Sequence, residues 1–125
     1  QSVLFTSDRG GTPQIYRLGW CMDYADANNF DREVFAKGGS ANPSEGGGIN
    51  WKNDKFEELV KQAAVELDAA KRVDLYAQAE QILVYDDAAM APIYWYTRNT
   101  ATKPYVQRTF SVSGHEALEK WDITK

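Results

Sequence analysis

Between residues 56 and 67 the apolar side chains fall at Phe56, Leu59, Val60, Ala63, Ala64 and Leu67. The spacing i, i+3, i+4, i+7, i+8, i+11 predicts one stripe of an amphipathic helix. Asn53 stands where an N-cap belongs. Glu57 lies in the first turn, where the helix dipole favours an acid. A second helix follows, capped by Asp68. Val73, Tyr76, Ala77, Leu83 and Val84 mark its buried face, and Leu75, Ala79 and Ile82 widen it. The stripes are too short for a coiled coil and keep no heptad, so the helices are expected to pair through a tight turn at Asp68. Asp86 and Asp87 would oppose the dipole at a helix C-terminus, so the second helix is expected to stop before them.

The pattern on either side is different. Gln14–Trp20 predicts a strand: Ile15 and Tyr16 favour one, and Gly19 lets another backbone come close. Val3, Leu4 and Phe5 precede it, and Arg9–Pro13 is a turn by composition. Residues 30–35 form a short helix candidate with Phe30, Val34 and Phe35 turned inward. Gly38–Gly48 holds five glycines in eleven residues and predicts a flexible surface loop. Ala91–Tyr96 predicts a strand with Pro92 at its start. Ile93 and Trp95 would face one way, Tyr94 and Tyr96 the other, with both faces packed or one aromatic turned into a cleft. Arg98–Thr102 extends it, Lys103–Val106 is a crossover, Phe110–Gly114 a turn, and Leu118, Trp121 and Ile123 end the chain in a short strand.

Composition narrows the class without choosing a function. A chain of 125 residues is about one domain, and 43% hydrophobic with 26% charged is ordinary for a globular protein. A net charge of −4, with no run of three basic residues, argues against a nucleic-acid surface. No stretch approaches the roughly 18–20 apolar residues of a membrane span.

The chemistry of enzymes is missing from the motifs. There is no nucleophile elbow, no H-E-x-x-H and no C-x-x-C. The lone cysteine, Cys21, and the lone histidine, His115, lie far apart. Asp23, Asp26 and Asn28 miss the EF-hand spacing, because two residues separate the acids and no glycine follows. The glycine loop has no G-x-x-x-x-G-K-[ST] pattern, which removes a phosphate cradle. No catalytic residue, metal or cofactor is expected. On the residues alone, Asp23 reads as a turn residue making an Asx-type bond.

One stretch carries more. Gly19-Trp20-Cys21-Met22-Asp23-Tyr24, followed by an Asn-rich turn and Phe30, resembles the signature of the solute-binding proteins of peptide-type ABC importers. Residues 53–60, 72–83 and 91–96 fit the same family in the same order, so the resemblance spans about four fifths of the chain. Family members run to several hundred residues, and these segments match their C-terminal part.

The resemblance implies a fold and a site. The fold class is α/β (mixed α+β): a fragment of the two-lobe, type II-like periplasmic-binding-protein fold, with the helix pair packed on a small mixed sheet. Residues 1–103 would belong to the C-terminal lobe, and 104–125 would return to the missing N-terminal lobe. In the family, an aspartate at the place of Asp23 pairs with the α-amino group of a bound peptide. The backbone around Gly19–Cys21 pairs with the peptide main chain, and Trp20 walls the site. Some members pair a cysteine at the place of Cys21 with one far upstream. The implied partners are a peptide or other small solute, a membrane permease and the N-terminal lobe. The implied location is periplasmic or extracellular, with lipid anchoring at the missing N-terminus left open. Two alternatives stand beside this reading: a stand-alone structural or protein-interaction domain, and an oligosaccharide-binding member of the same family.

Overall fold

The computed structural model of the chain describes residues 17–45, 48–95, 97, 99–110 and 116–124. The expected helix end at residues 1–8, the turn at 9–13, the first half of the Gln14–Trp20 strand, Tyr96, Arg98 and His115 lie outside them. Helix α1 (Asn28–Phe30) widens into a π turn at Asp31–Phe35. Helices α2 (Asp54–Ala63) and α3 (Ala69–Glu80) follow, and α3 also widens into a π turn at Gln81–Asp86. Strands β1 (Val106–Gln107) and β2 (Asp122–Ile123) pair antiparallel, Val106 opposite Ile123 and Gln107 opposite Asp122.

Both capped helices start as their sequences require. The Asn53 side chain accepts from the Phe56 amide at 3.0 Å, and that of Asp68 accepts from the Lys71 amide at 3.0 Å. Each cap satisfies a backbone donor that has no partner within the helix, worth about 1 kcal/mol. α2 buries Phe56, Leu59, Val60 and Ala63. These meet Tyr76, Ala79 and Leu83 of α3 and Val34 and Phe35 of the first π turn in one core. Trp51 closes it from the side, edge-on to Phe56 with ring centroids 4.8 Å apart.

The structure corrects several expectations. Leu67 is 97% exposed. α2 has already ended at Ala63, and the extended backbone of the Asp68 cap takes the preceding residues out of helical register. Val73 and Ala77 are exposed too. They lie roughly a quarter and a third of a turn round α3 from the centre of the Tyr76–Ala79–Leu83 face. The helical path does not stop before Asp86. It runs through that residue, and the Asp87 amide donates to the Ile82 carbonyl. The dipole opposition is offset by direct donors. Trp51 Nε1 and Asn53 Nδ2 both donate to Asp87 Oδ2, at 2.9 and 2.8 Å, and hold its pKa below the usual value.

The glycine loop packs rather than standing off, over its described residues. Ala41 and Asn42 are buried, and Asn42 Nδ2 donates to the carbonyls of Phe35 and Trp51. At Gly48, φ is +60° and an added Cβ would sit 2.1 Å from the Ala41 carbonyl oxygen, so the turn needs glycine.

The sheet is smaller than expected. Among the described residues it is the two-stranded antiparallel ladder of β1 and β2, not a mixed sheet, and the helix pair packs on the Asn28–Phe35 segment instead. Ala91–Trp95 has no regular secondary structure and joins no ladder of the described residues. Ile93 and Trp95 are 80% and 85% exposed, so the face they share is not packed by the described residues. Arg17–Trp20 likewise runs without strand pairing there. A strand needs a neighbour for its backbone, which periodicity cannot supply. The tail holds together through Arg108. Its guanidinium lies 4.8 Å from the ring centroids of both Phe110 and Trp121 and pairs with Glu116. A short 3-10 turn at Leu118–Lys120 precedes β2, so of the expected strand residues only Ile123 is in one.

Candidate functional site

The approach to α1 is a run of backbone unpaired among the described residues. Leu18 to Met22 make no backbone–backbone hydrogen bond with any described residue. Gly19 and Cys21 are exposed, and the Cys21 thiol is free. Trp20 is half-buried and packs its ring against the core. The run ends at Asp23, whose side chain is exposed.

Asp23 is nevertheless held firmly, by Asn29. Asn29 sits in α1 with no exposed surface, and every hydrogen-bonding position of its amide is used. Its Oδ1 accepts from Trp20 Nε1 at 2.9 Å and from the Asp23 backbone amide at 3.0 Å. Its Nδ2 donates to Asp23 Oδ2 at 3.2 Å and to Glu33 Oε2 at 2.8 Å. One amide therefore joins the tryptophan, the aspartate and the next turn of helix. Asp23 Oδ1 has no partner among the described residues and is left to accept from outside.

A second layer steadies the first. Tyr24 donates its hydroxyl to Glu33 Oε1, and that carboxylate raises the tyrosine pKa. Asn28 Nδ2 donates to the Tyr24 hydroxyl at 2.6 Å, and Asn28 Oδ1 accepts from Tyr76 of α3 at 3.2 Å. Asp26 Oδ1 accepts from the Asn28 amide at 2.8 Å and from Arg72 Nη2 at 2.7 Å. Burial disfavours the Asp26 charge, but the Asn28 amide and the Arg72 guanidinium outweigh it and hold the pKa below the usual value. Arg72 also donates to the Ala63 carbonyl at the end of α2, at 2.6 Å. The loop is thus latched to both long helices. Beneath it, Asp31 is 2% exposed, and its Oδ2 has no hydrogen-bond partner among the described residues. Burial, with the charge of Glu80 adding to it, raises its pKa to about 7.

Residues 94 and 95 lie beside this loop. Arg17 Nη2 donates to the Tyr94 hydroxyl at 2.7 Å, and Trp95 meets Phe30 edge-on at 6.4 Å. Of the four residues expected at the site, the structure joins Trp20 to Asp23, and Gly19 and Cys21 lie on the open backbone leading to them. Asn29, Glu33 and Arg72 were not anticipated. The available signal was an Asn-Asn pair opening a helix with Glu33 four residues on, a polar stripe where an apolar one would be ordinary.

No family model matches the chain, and no solved structure does. Curated relatives do. The oligopeptide-binding protein OppA of Bacillus subtilis is 39% identical over 84 residues, 67% of this chain and 14% of that protein. The periplasmic oligopeptide-binding protein OppA of Salmonella typhimurium is 31% identical over 96 residues, 77% of this chain and 16% of that protein. The dipeptide-binding protein DppE of Bacillus subtilis is 37% identical over 85 residues, 68% of this chain and 14% of that protein. The chain belongs to the peptide-type family of solute-binding proteins. The family resemblance of the Gly19–Phe30 stretch and the three segments after it is therefore upheld. These relatives are binding proteins, not enzymes. The chain spans about one seventh of the length of the relatives it matches.

Proposed function

We propose that the chain forms one wall of the ligand cleft of a peptide-binding protein that serves an ABC importer. Asp23 holds the α-amino group of the bound peptide, and the backbone around Gly19–Cys21 pairs with the peptide main chain. Main-chain pairing ignores side-chain identity, so one site accepts many sequences. The observation that carries this reading is the Leu18–Met22 backbone, unpaired among the described residues, ending at an exposed carboxylate held by Asn29. The carboxylate has one oxygen occupied by Asn29 and the other available to an ammonium. The names of the relatives support a peptide ligand.

On this reading the chain is the C-terminal part of a two-lobe protein of the type II-like fold. Residues 1–103 belong to one lobe, and 104–125 return to the other. Ligand touching both lobes favours the closed state, which the permease then receives outside the membrane. The rest of the protein covers the exposed side chains of Ile93 and Trp95. The 125-residue chain alone is half a cleft and should bind peptide weakly or not at all. A micromolar dissociation constant for it would remove this reading.

The test of Asp23 uses the full-length protein and titration calorimetry with trialanine and N-acetyl-trialanine. Asp23→Ala is expected to weaken trialanine about 10- to 100-fold, the range of a hydrogen bond to a charged group. N-acetyl-trialanine should change little. Equal losses for both peptides would take Asp23 out of the role.

A further inference from the structure

We infer that Asn29 is the positioning residue of the amine site: it sets where the Asp23 carboxylate stands and how the Trp20 ring is turned. The inference rests on the amine-binding reading of Asp23 and adds the residue that makes it selective.

A side-chain amide has two acceptor positions and two donors, and in Asn29 all four are used by different groups. The Trp20 indole and the Asp23 backbone amide take the oxygen, while the Asp23 and Glu33 carboxylates take the nitrogen. The amide therefore has one orientation. Turning it over would set its oxygen against two carboxylates and its N–H groups against two donors. Asn29 is fully buried, so water cannot replace a lost partner cheaply. Holding both the backbone and the side chain of Asp23 removes the freedom that a loop aspartate otherwise has. Binding then does not have to order the acid, which is the gain from preorganisation. Only an amide does this here. A carboxyl of the same shape keeps the acceptor for Trp20 and Asp23 but, once ionised, loses both donors and places a third negative charge between Asp23 and Glu33.

That difference gives a readout that ordinary destabilisation does not produce. In the full-length protein, affinities for trialanine and N-acetyl-trialanine are measured by calorimetry from pH 4.5 to 8, with the thermal midpoint of each variant recorded. Wild-type protein should prefer the free amine at least about tenfold at pH 7.5. In Asn29→Asp this preference should fall about tenfold at pH 7.5 and recover toward pH 5, where protonation of the new carboxyl restores a donor. Asn29→Ala should lose the preference without recovering it. A folded Asn29→Asp protein that keeps the wild-type preference at pH 7.5 overturns the inference, as does a loss that pH does not reverse. A wild-type protein with no preference overturns the amine-binding reading itself, which separates the two failures.

If neither variant folds, the wild-type protein labelled with 15N-asparagine decides the matter. The Asn29 side-chain resonances should shift when trialanine saturates the site and stay in place with N-acetyl-trialanine. Resonances that stay in place with both peptides overturn the inference.

Discussion

The helix pair and the segment that follows it draw on similar amino acids and end up in opposite environments. In α2, Phe56, Leu59, Val60 and Ala63 are at most 3% exposed. In the extended stretch after α3, Ile93 and Trp95 are 80% and 85% exposed, and in the tail Leu118 and Ile123 are 67% and 65% exposed. A helix satisfies its own backbone and needs only one facing stripe, which its neighbour in sequence provides. A strand leaves its backbone donors and acceptors to another strand, and its side chains to another layer. The first region is complete within this chain. Among the described residues the second is held where β1 pairs with β2 and where Arg108 gathers Phe110, Trp121 and Glu116 around itself.

The sharpest way to break this comparison is inside the helix pair. Phe56→Ala removes a fully buried ring that packs on Trp51. In the 125-residue chain it should cost about 3–5 kcal/mol by urea denaturation, a large part of the stability of a domain of this size. A loss under 1 kcal/mol would mean that the core is not where the structure puts it.

The next test asks whether the core is paying for its buried acid. Asp31 has its pKa raised from 3.8 to about 7 by burial and then by the charge of Glu80. Tyr76 is the other titratable group that feels its charge. The folded state favours the protonated form. Stability from this group is therefore complete below pH 3.8, falls as pH rises, and is gone once pH passes about 7. The slope is roughly 1.4 kcal/mol per pH unit across that window. Asp31→Asn should flatten it, leaving the variant the more stable of the two at pH 8. Parallel pH profiles for the two proteins would show that Asp31 is not buried as a neutral acid.

The smallest effect sharpens the other side. In the 125-residue chain, Trp95→Ala should change stability by no more than about 0.5 kcal/mol, as for other exposed positions. In the full-length protein the same change should cost about 3 kcal/mol or more if another layer covers the ring. Equal small effects in both settings would leave residues 91–95 a surface segment.

Much of the helical part was legible beforehand. Asn53 and Asp68 cap as expected because a cap is a local bargain between one side chain and an amide three residues on. The stripe from Phe56 to Ala63 is buried as its period requires, and it fails at Leu67 only because the helix has ended. Asp23 and Trp20 were identified by resemblance to a motif. Their anchoring at Asn29 was not, since an amide six residues away from Asp23 becomes a neighbour only after the loop has turned back on itself. The wider frame of Arg72, reaching Asp26 across 46 residues, is a matter of tertiary path. Within the strands expected at Gln14–Trp20 and Ala91–Tyr96, the described residues Leu18–Trp20 and Ala91–Trp95 join no ladder of the described residues. Their residue types favour extended backbone, but a ladder requires a second chain segment that no local pattern specifies.

By itself, then, the sequence determined the two capped helices, the faces they share over most of their length, and the family to which the chain belongs. These depend on periods, caps and residue order, all of which act within a few positions. Only the tertiary structure decided that Asn29 would hold Asp23 and Trp20 together, that Asp31 would be sealed in the core, and that Asp87 would be clasped by Trp51 and Asn53. Those outcomes depend on where the chain crosses itself. A polar side chain has several partners within reach of an unfolded chain, and packing selects which of them it keeps.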